Sequence, residues 1–436
     1  MVVGSVIDMS DDARVTVYCP AGEITGTSDG QVTNFRSIPY SHIPGDFFDA
    51  QRLPNTPQEP IDATVHRPES IALSITTPHD SRPLADLPVI VYIHGGRFEN
   101  GTHGDRRADG APNARAKVIT VHIGYRVKLA GFAQFHNDEP HRYRGIDDCQ
   151  LGLEWVQRNI ESFGGDPTNV TLVGQSAGAT TALWLSRRDH YRGCFRRVMA
   201  MSPCFPRDSF QHRKGSLRTV LGKPVTRASL TKLAAKNPRL LERGYSRFRT
   251  WHGLDMALGP TPLDGAEMTD LPLWMTSTRE EFYHLPGGRT LDDRGWGPRA
   301  ARFLAKRMGL SGSVSAWIAA AQKMDPERVV GRLIGDASNR RWVSQAAEQS
   351  LGPVWMSEYV RDATPALHCV EIPYVFGLEP GISHEQLLRF AHGREPLWPR
   401  YTANTGRQVC RTNLDSGTTE IVSDPLKMVR EAFGPN

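Results

Sequence analysis

Residues 169–185, NVTLVGQSAGATTALWL, carry an apolar stretch into Gly174-Gln175-Ser176-Ala177-Gly178 and out into an alanine-rich segment. A serine hydroxyl is a weak nucleophile until a base takes its proton, and it must stand clear of the backbone to reach a carbonyl carbon. A sharp strand-to-helix turn holds it there, and small residues at Gly174 and Gly178 let the chain make that turn. The helix that follows offers its first amides to a developing oxyanion, beginning with the Ala177 N–H. The pattern points to acyl transfer through Ser176. The pentapeptide alone arises by chance; its specificity comes from the strand before it and the helix after.

A second segment, VIVYIHGGRFENG, is a strand that ends in His94-Gly95-Gly96-Arg97-Phe98. Glycines at a strand end let main-chain amides approach a ligand closely, so this loop is a candidate for the other oxyanion donors. Taken by itself, Gly95-Gly96 is equally a plain turn. Its place N-terminal to Ser176 is the order that this chemistry uses. A base and an orienting acid are still needed, and residue types alone leave them open among fifteen histidines and 47 aspartates and glutamates.

The elements that position these residues follow from hydrophobic pattern. Val89–Ile93, Val118–Ile123, Val170–Val173 and Val198–Met201 are short, β-branched and the length of buried strands. Between the second and third lies IDDCQLGLEWVQRNIESFGG, whose apolar residues recur at helical spacing after an acidic start and before a glycine stop. Strands separated by helices require crossover connections, hence a mainly parallel sheet with both faces covered. The fold class is α/β. No linker divides the 436 residues, so one large domain with insertions is expected. Residues 205–250 hold twelve lysines and arginines against Asp208 and Glu242; a basic helical cap insertion is expected over 205–270. A second helical insertion is expected over 285–348, with SVSAWIAAAQKM as its clearest stretch.

Composition removes other classes. A net charge of +5 from 52 basic and 47 acidic residues is small for this length and does not argue for nucleic acid. The apolar runs fall short of a bilayer span, and MVVGSVIDMSDDAR has acids where an export signal needs a positive start. Six scattered cysteines form no C-x-x-C pair and have no histidines at zinc spacing, so free thiols in a cytoplasmic protein with no metal are expected.

The stretch RGIDDCQLGLEWVQRNIESFGGDPTNVTLVGQSAGAT resembles the type B carboxylesterase and cholinesterase family of α/β-hydrolases, in order and in spacing. FRSIPYSHIP, GYRVKLAGF, LPLWMTSTREEF and LHCVEIPYVFG extend the likeness over most of the chain; residues 205–250 are the part without a match. The resemblance implies an α/β-hydrolase fold with helical cap insertions, a small-molecule ester as substrate and no cofactor. It also places the remaining groups. Glu281, the second acid of Thr278-Arg279-Glu280-Glu281, takes the family's acid position, and His368 stands where the family has its histidine. Ser176, Glu281 and His368 then fall in the chain order of this fold. Gly96, Arg97 and Ala177 take the oxyanion positions, with Gly95, Gly174 and Gly178 shaping the turns, and Ser202 matches a serine that hydrogen-bonds near the acid.

The departures are informative too. Arg97 stands where relatives have Gly or Ala, Phe282 where Gly follows the acid, and Gln175 where many have Glu. PESIALSITTP replaces the family's first disulfide segment. Two readings of Arg97 follow: its guanidinium turns away and pairs with an acid such as Glu99 or Asp105, or it faces the pocket and binds an anionic group. Phe98, Trp274 and Trp398 are candidates for the pocket wall, although core is the commoner place for each. The reading of function is a serine hydrolase that cleaves carboxylic esters through an acyl-enzyme. The same groups would serve a thioester, carbamate or amide, and a non-catalytic binding protein on this fold is the rival from another class.

Overall fold

The computed structural model describes residues 13–54 and 58–434, so most of the N-terminal MVVGSVIDMSDDAR stretch lies outside the described residues. In chain order the strands are β1 (Ala13–Cys19), β2 (Gly22–Ser28), β3 (Val32–Ile38), β4 (Ser41–His42), β5 (Gln51–Arg52), β6 (Gln58–Asp62), β7 (Leu73–Pro78) and β8 (Leu87–Ile93). There follow β9 (Ile119–Ile123), β10 (Gly165–Gln175), β11 (Arg197–Met201), β12 (Leu273–Thr278), β13 (Val354–Val360), β14 (Gln408–Asn413) and β15 (Thr419–Ser423). Among the described residues one sheet of thirteen strands runs β1-β2-β3-β7-β9-β8-β10-β11-β12-β13-β14-β15, with β6 beside β2; β4 and β5 form a separate hairpin.

From β9 through β14 every neighbouring pair is parallel, and antiparallel pairing is found toward both edges. Parallel strands need crossovers, and the crossover helices cover both faces. Alternation within a strand shows this directly. Val89, Val91 and Ile93 of β8 join one buried cluster while Ile90 and Tyr92 join another; on β12, Leu273 and Met275 face the first and Trp274 the second. The α/β-hydrolase fold expected from the sequence is the fold observed.

Register brings the site together. Gly174 of β10 lies opposite Ile93 of β8, Gln175 opposite Met201 of β11, and Met201 opposite Thr276 of β12. The loops after β8, β10, β11, β12 and β13 therefore emerge at one carboxyl edge, where parallel sheets open a crevice for ligands.

Two helical insertions lie between the strands. The first contains helices Phe210–Leu221, Arg227–Lys236 and Pro238–Trp251, each started by a side chain that accepts from the third residue on: Ser209, Thr226 and Asn237. The second runs from Pro286–Asp293 to Arg341–Gln349 and includes Val314–Met324, capped by Ser313. Its helix Val329–Gly335 passes into a π-helical turn, Asp336–Arg340. Among the described residues no helix is long and apolar enough to cross a membrane. The six cysteines are unpaired.

Candidate active site

Ser176 joins β10 to the helix Ala177–Leu185 with φ 55° and ψ −118°, in the left-handed half of backbone space that a side chain rarely adopts. Its neighbours make that turn possible through close approach. A Cβ on Gly178 would sit 2.0 Å from the Ile93 carbonyl oxygen, and one on Gly174 would sit 2.2 Å from the Gly178 carbonyl oxygen. Gly95 lies against the same corner, with room for no Cβ beside Gln175 and Ser176.

His368, in the loop after β13, turns Nδ1 to Glu281 Oε2 at 2.5 Å, and its backbone N–H donates to the Glu281 carbonyl at 2.9 Å. The other carboxylate oxygen of Glu281 accepts from Ser202 Oγ at 2.6 Å and from the Thr278 N–H at 3.1 Å. Burial works against a charged Glu281, but His368 and these donors outweigh it and hold the carboxyl below its ordinary pKa. Burial likewise opposes a charged imidazole, yet Cys369 and the Glu281 carboxylate outweigh it and raise the His368 pKa well above its ordinary value. Glu280 is engaged elsewhere, with Arg279 and the Ala366 N–H.

Gly96 and Arg97 have φ of 103° and 59°. Their N–H groups and that of Ala177 donate to no group among the described residues. Ala177 is buried while Gly96 and Arg97 are exposed where they border the cavity beside Ser176, so three main-chain donors stand unengaged around one serine.

Ser176 and His368 border a common cavity of about 240 Å³, with Gly96 and Arg97 at one side and Leu254, Met256, Phe282 and Ile334 among its apolar walls. Gln175 is part of this cavity in a way the sequence did not signal: its side-chain amide nitrogen lies 3.3 Å from His368 Nε2. Ser176 Oγ lies 3.5 Å from Cys204 Sγ, and among the described residues no hydrogen bond joins it to His368. Passing its proton to the imidazole therefore needs a small side-chain rearrangement, of the kind that tightens when substrate binds.

Other residues at the site escaped sequence reasoning. Cys204 and Cys369 both border the cavity. Asn339, on the π-helical turn, donates from Nδ2 to the Ser202 carbonyl at 2.6 Å and also borders it. A π turn inserts one extra residue into a helix, a change that periodicity does not reveal.

Phe98, Trp274 and Trp398 are absent from the pocket wall: Phe98 packs on Phe132 with ring centroids 4.3 Å apart, and Trp274 on Trp398 at 5.3 Å. Phe98 and Trp274 are buried in the core, and Trp274 and Trp398 border a separate cavity with Ser357 and Cys410. The acids proposed as partners for Arg97 are also taken. Arg249 holds Glu99 at 2.9 Å and Arg107 holds Asp105 at 2.8 Å, while Arg97 Nη2 donates to the Asp255 carbonyl at 3.2 Å.

Similarity to known proteins extends along the chain. A sequence model of the carboxylesterase family matches residues 69–223. The chain is 26% identical over 450 residues to the para-nitrobenzyl esterase of Bacillus subtilis (strain 168), with 88% of each protein covered. It is 26% identical to a probable N-octanoylanthranilate hydrolase of Rhodococcus erythropolis over 94% of each. The fold is shared with the crystal structure of a Geobacillus stearothermophilus carboxylesterase: TM-score 0.78 at 22% identity, covering 96% of this chain and all of that one. On these grounds the chain is similar to carboxylesterases, by the family model over residues 69–223 and by esterase relatives along most of its length.

Proposed function

We propose that Ser176, His368 and Glu281 act as nucleophile, base and orienting acid in the hydrolysis of carboxylic esters. The observation that carries this is the Glu281–His368 pair reaching the cavity into which the Ser176 elbow opens. With Nδ1–H bound to Glu281, His368 keeps the Nε2 lone pair toward the cavity as a proton acceptor. Ser176 Oγ attacks the ester carbon and His368 takes its proton. The carbonyl π pair moves to oxygen, where the N–H groups of Gly96, Arg97 and Ala177 bind the resulting anion. Collapse breaks the carbon–oxygen bond to the alcohol, which leaves with the proton from His368. Water then attacks the acyl-serine by the same steps and releases the acid.

Ser202 and Asn339 support this from behind. Ser202 fixes one oxygen of Glu281, and Asn339 fixes the Ser202 main chain, so the carboxylate keeps its aim at Nδ1. We place the protein in the cytoplasm, a reading supported by six unpaired thiols in a family that often carries disulfides.

The test is covalent labelling. A fluorophosphonate probe is expected to modify Ser176 alone and to abolish hydrolysis of a graded set of p-nitrophenyl esters, whose profile defines the acyl preference. Labelling elsewhere, or full activity in Ser176→Ala, would end the reading.

A further inference from the structure

The cavity wall that faces the nucleophile carries more positive than negative charge. Arg97 projects from the oxyanion loop, borders the cavity and has no carboxylate partner among the described residues; its one protein acceptor is the Asp255 main-chain carbonyl. The nearby acids are neutralised by other cations, Glu99 by Arg249 and Asp105 by Arg107.

Behind Asp255 the surplus grows. Arg213 binds the Asp255 carboxylate through Nη2, Arg207 Nη1 lies 3.6 Å from its other oxygen, and Arg213 Nε is 4.0 Å from Asp208. Arg341 adds a further guanidinium, with Nε and Nη1 buried and without hydrogen-bond partners among the described residues. Arg207 and Arg341 flank Gly309, next to the cavity residue Met308: a Cβ there would lie 2.9 Å from Arg207 Cδ and 2.5 Å from Arg341 Nη1. Four guanidiniums thus face two carboxylates, Asp255 and Asp208. In a cavity with low-dielectric walls this imbalance is felt by whatever enters.

A guanidinium with unused N–H donors matches the planar geometry of a carboxylate. The rest of the wall, with Leu254, Met256, Phe282 and Ile334, suits a short apolar chain or ring. We propose that the site takes esters that bear a negative charge, a half-ester of a dicarboxylic acid or a carboxylate-bearing aryl ester, with the Arg97 side chain as the anchor of the anion. This rests on the ester-hydrolase reading of the site and names its substrate class. Arg97 acts twice: its main-chain N–H serves the oxyanion, and its side chain reads a second charge on the same substrate. The competing role is a strut, in which Arg97 only pins the Asp255 carbonyl and so holds the first insertion in place.

Matched ester pairs separate the two roles. Monoethyl adipate is compared with ethyl hexanoate for charge on the acyl side, and 4-acetoxybenzoate with phenyl acetate for charge on the alcohol side. The ratio of kcat/KM, charged over neutral, is taken within each protein, so that damage to the oxyanion loop cancels. In Arg97→Ala the ratio is expected to fall about 10- to 100-fold for at least one pair, the size of a charge-assisted hydrogen bond. Arg97→Lys should recover part of it, and raising ionic strength should weaken the wild-type preference. Calorimetric binding of both charged esters to Ser176→Ala, with and without Arg97→Ala, supplies a readout free of turnover. There a loss of at least about tenfold is expected for one ester. Ratios that stay within about twofold for both pairs, or equal binding with and without Arg97→Ala, overturn the anchor. A wild type that turns over none of the four esters would overturn the hydrolase reading, and the binding arm would still decide the role of Arg97.

Discussion

The cavity has two unlike walls. One is made of strand ends: Gly96, Gln175, Ser176 and His368 emerge from β8, β10 and β13 in fixed register. The other is made by the insertions, with Leu254 and Asp255 from the first and Leu285, Met308 and Ile334 from the second. The strand-end wall is held by main-chain packing with no slack, as the positions of Gly174 and Gly178 show. The insertion wall is held by side chains, many of them charged, through pairs such as Lys128–Glu242 and Arg249–Glu99. Chemistry that tolerates errors of well under an ångström sits on the first wall, while features that distinguish substrates lie where the second meets it, as where Arg97 reaches from the oxyanion loop to the Asp255 carbonyl.

If the two walls divide the work in this way, the largest losses of turnover come from the strand-end wall and not from the insertions. His368→Ala and Ser176→Ala are each expected to lower kcat by about 10⁴-fold or more, Ser176→Ala with little change in unfolding temperature. Glu281→Gln should cost about 10³- to 10⁴-fold, and Glu280→Gln far less, because Glu281 alone reaches Nδ1. A reversed order of the two glutamates would move the site by one residue.

Titration sharpens the same point. The base works only when neutral, so the rate should rise with pH through a midpoint above that of an ordinary histidine, since the His368 pKa is raised. Replacing Glu281 with Gln removes one cause of that rise and should move the limb to lower pH, alongside the loss in rate. An acid limb at the same pH in both proteins would count against His368 as the titrating base.

Under the insertion wall lies a buried ion network. Asp336 accepts from Trp317 Nε1 at 3.0 Å and pairs with Arg340 at 3.1 Å; Arg340 also binds Glu358 at 2.8 Å, and all three charged residues are almost wholly buried. Asp336→Ala leaves Arg340 with Glu358 as its remaining carboxylate among the described residues and leaves the buried Trp317 N–H without its acceptor, and is expected to cost about 1–3 kcal/mol in chemical unfolding. A cost below about 1 kcal/mol would show that water reaches the network. At the small end, Lys128→Ala removes a solvent-exposed tie to Glu242 and should change stability by about 0–1 kcal/mol.

Legibility in the sequence follows the same division. The strand-end wall was readable because backbone geometry there dictates residue type: only small residues fit at Gly174 and Gly178, so the motif survives as letters. Glu281 and His368 were placed by family resemblance, since nothing local tells the second acid from the first. The insertion wall was not readable. Which acid meets Arg249 or Arg107, and that Gln175 turns toward His368, depend on contacts between segments far apart in the chain. Helical insertions over 205–270 and 285–348 were legible as helix, but the π turn at Asp336–Arg340 that aims Asn339 was not.

The backbone angle at Ser176 has a consequence outside chemistry. A residue held at φ 55° and ψ −118° stores about 1–3 kcal/mol that a glycine would largely release. Ser176→Gly should therefore withstand heat better than the natural protein while hydrolysing nothing. Selection for heat tolerance alone would drift toward that inert variant, so any programme to toughen this protein must screen for turnover at each round.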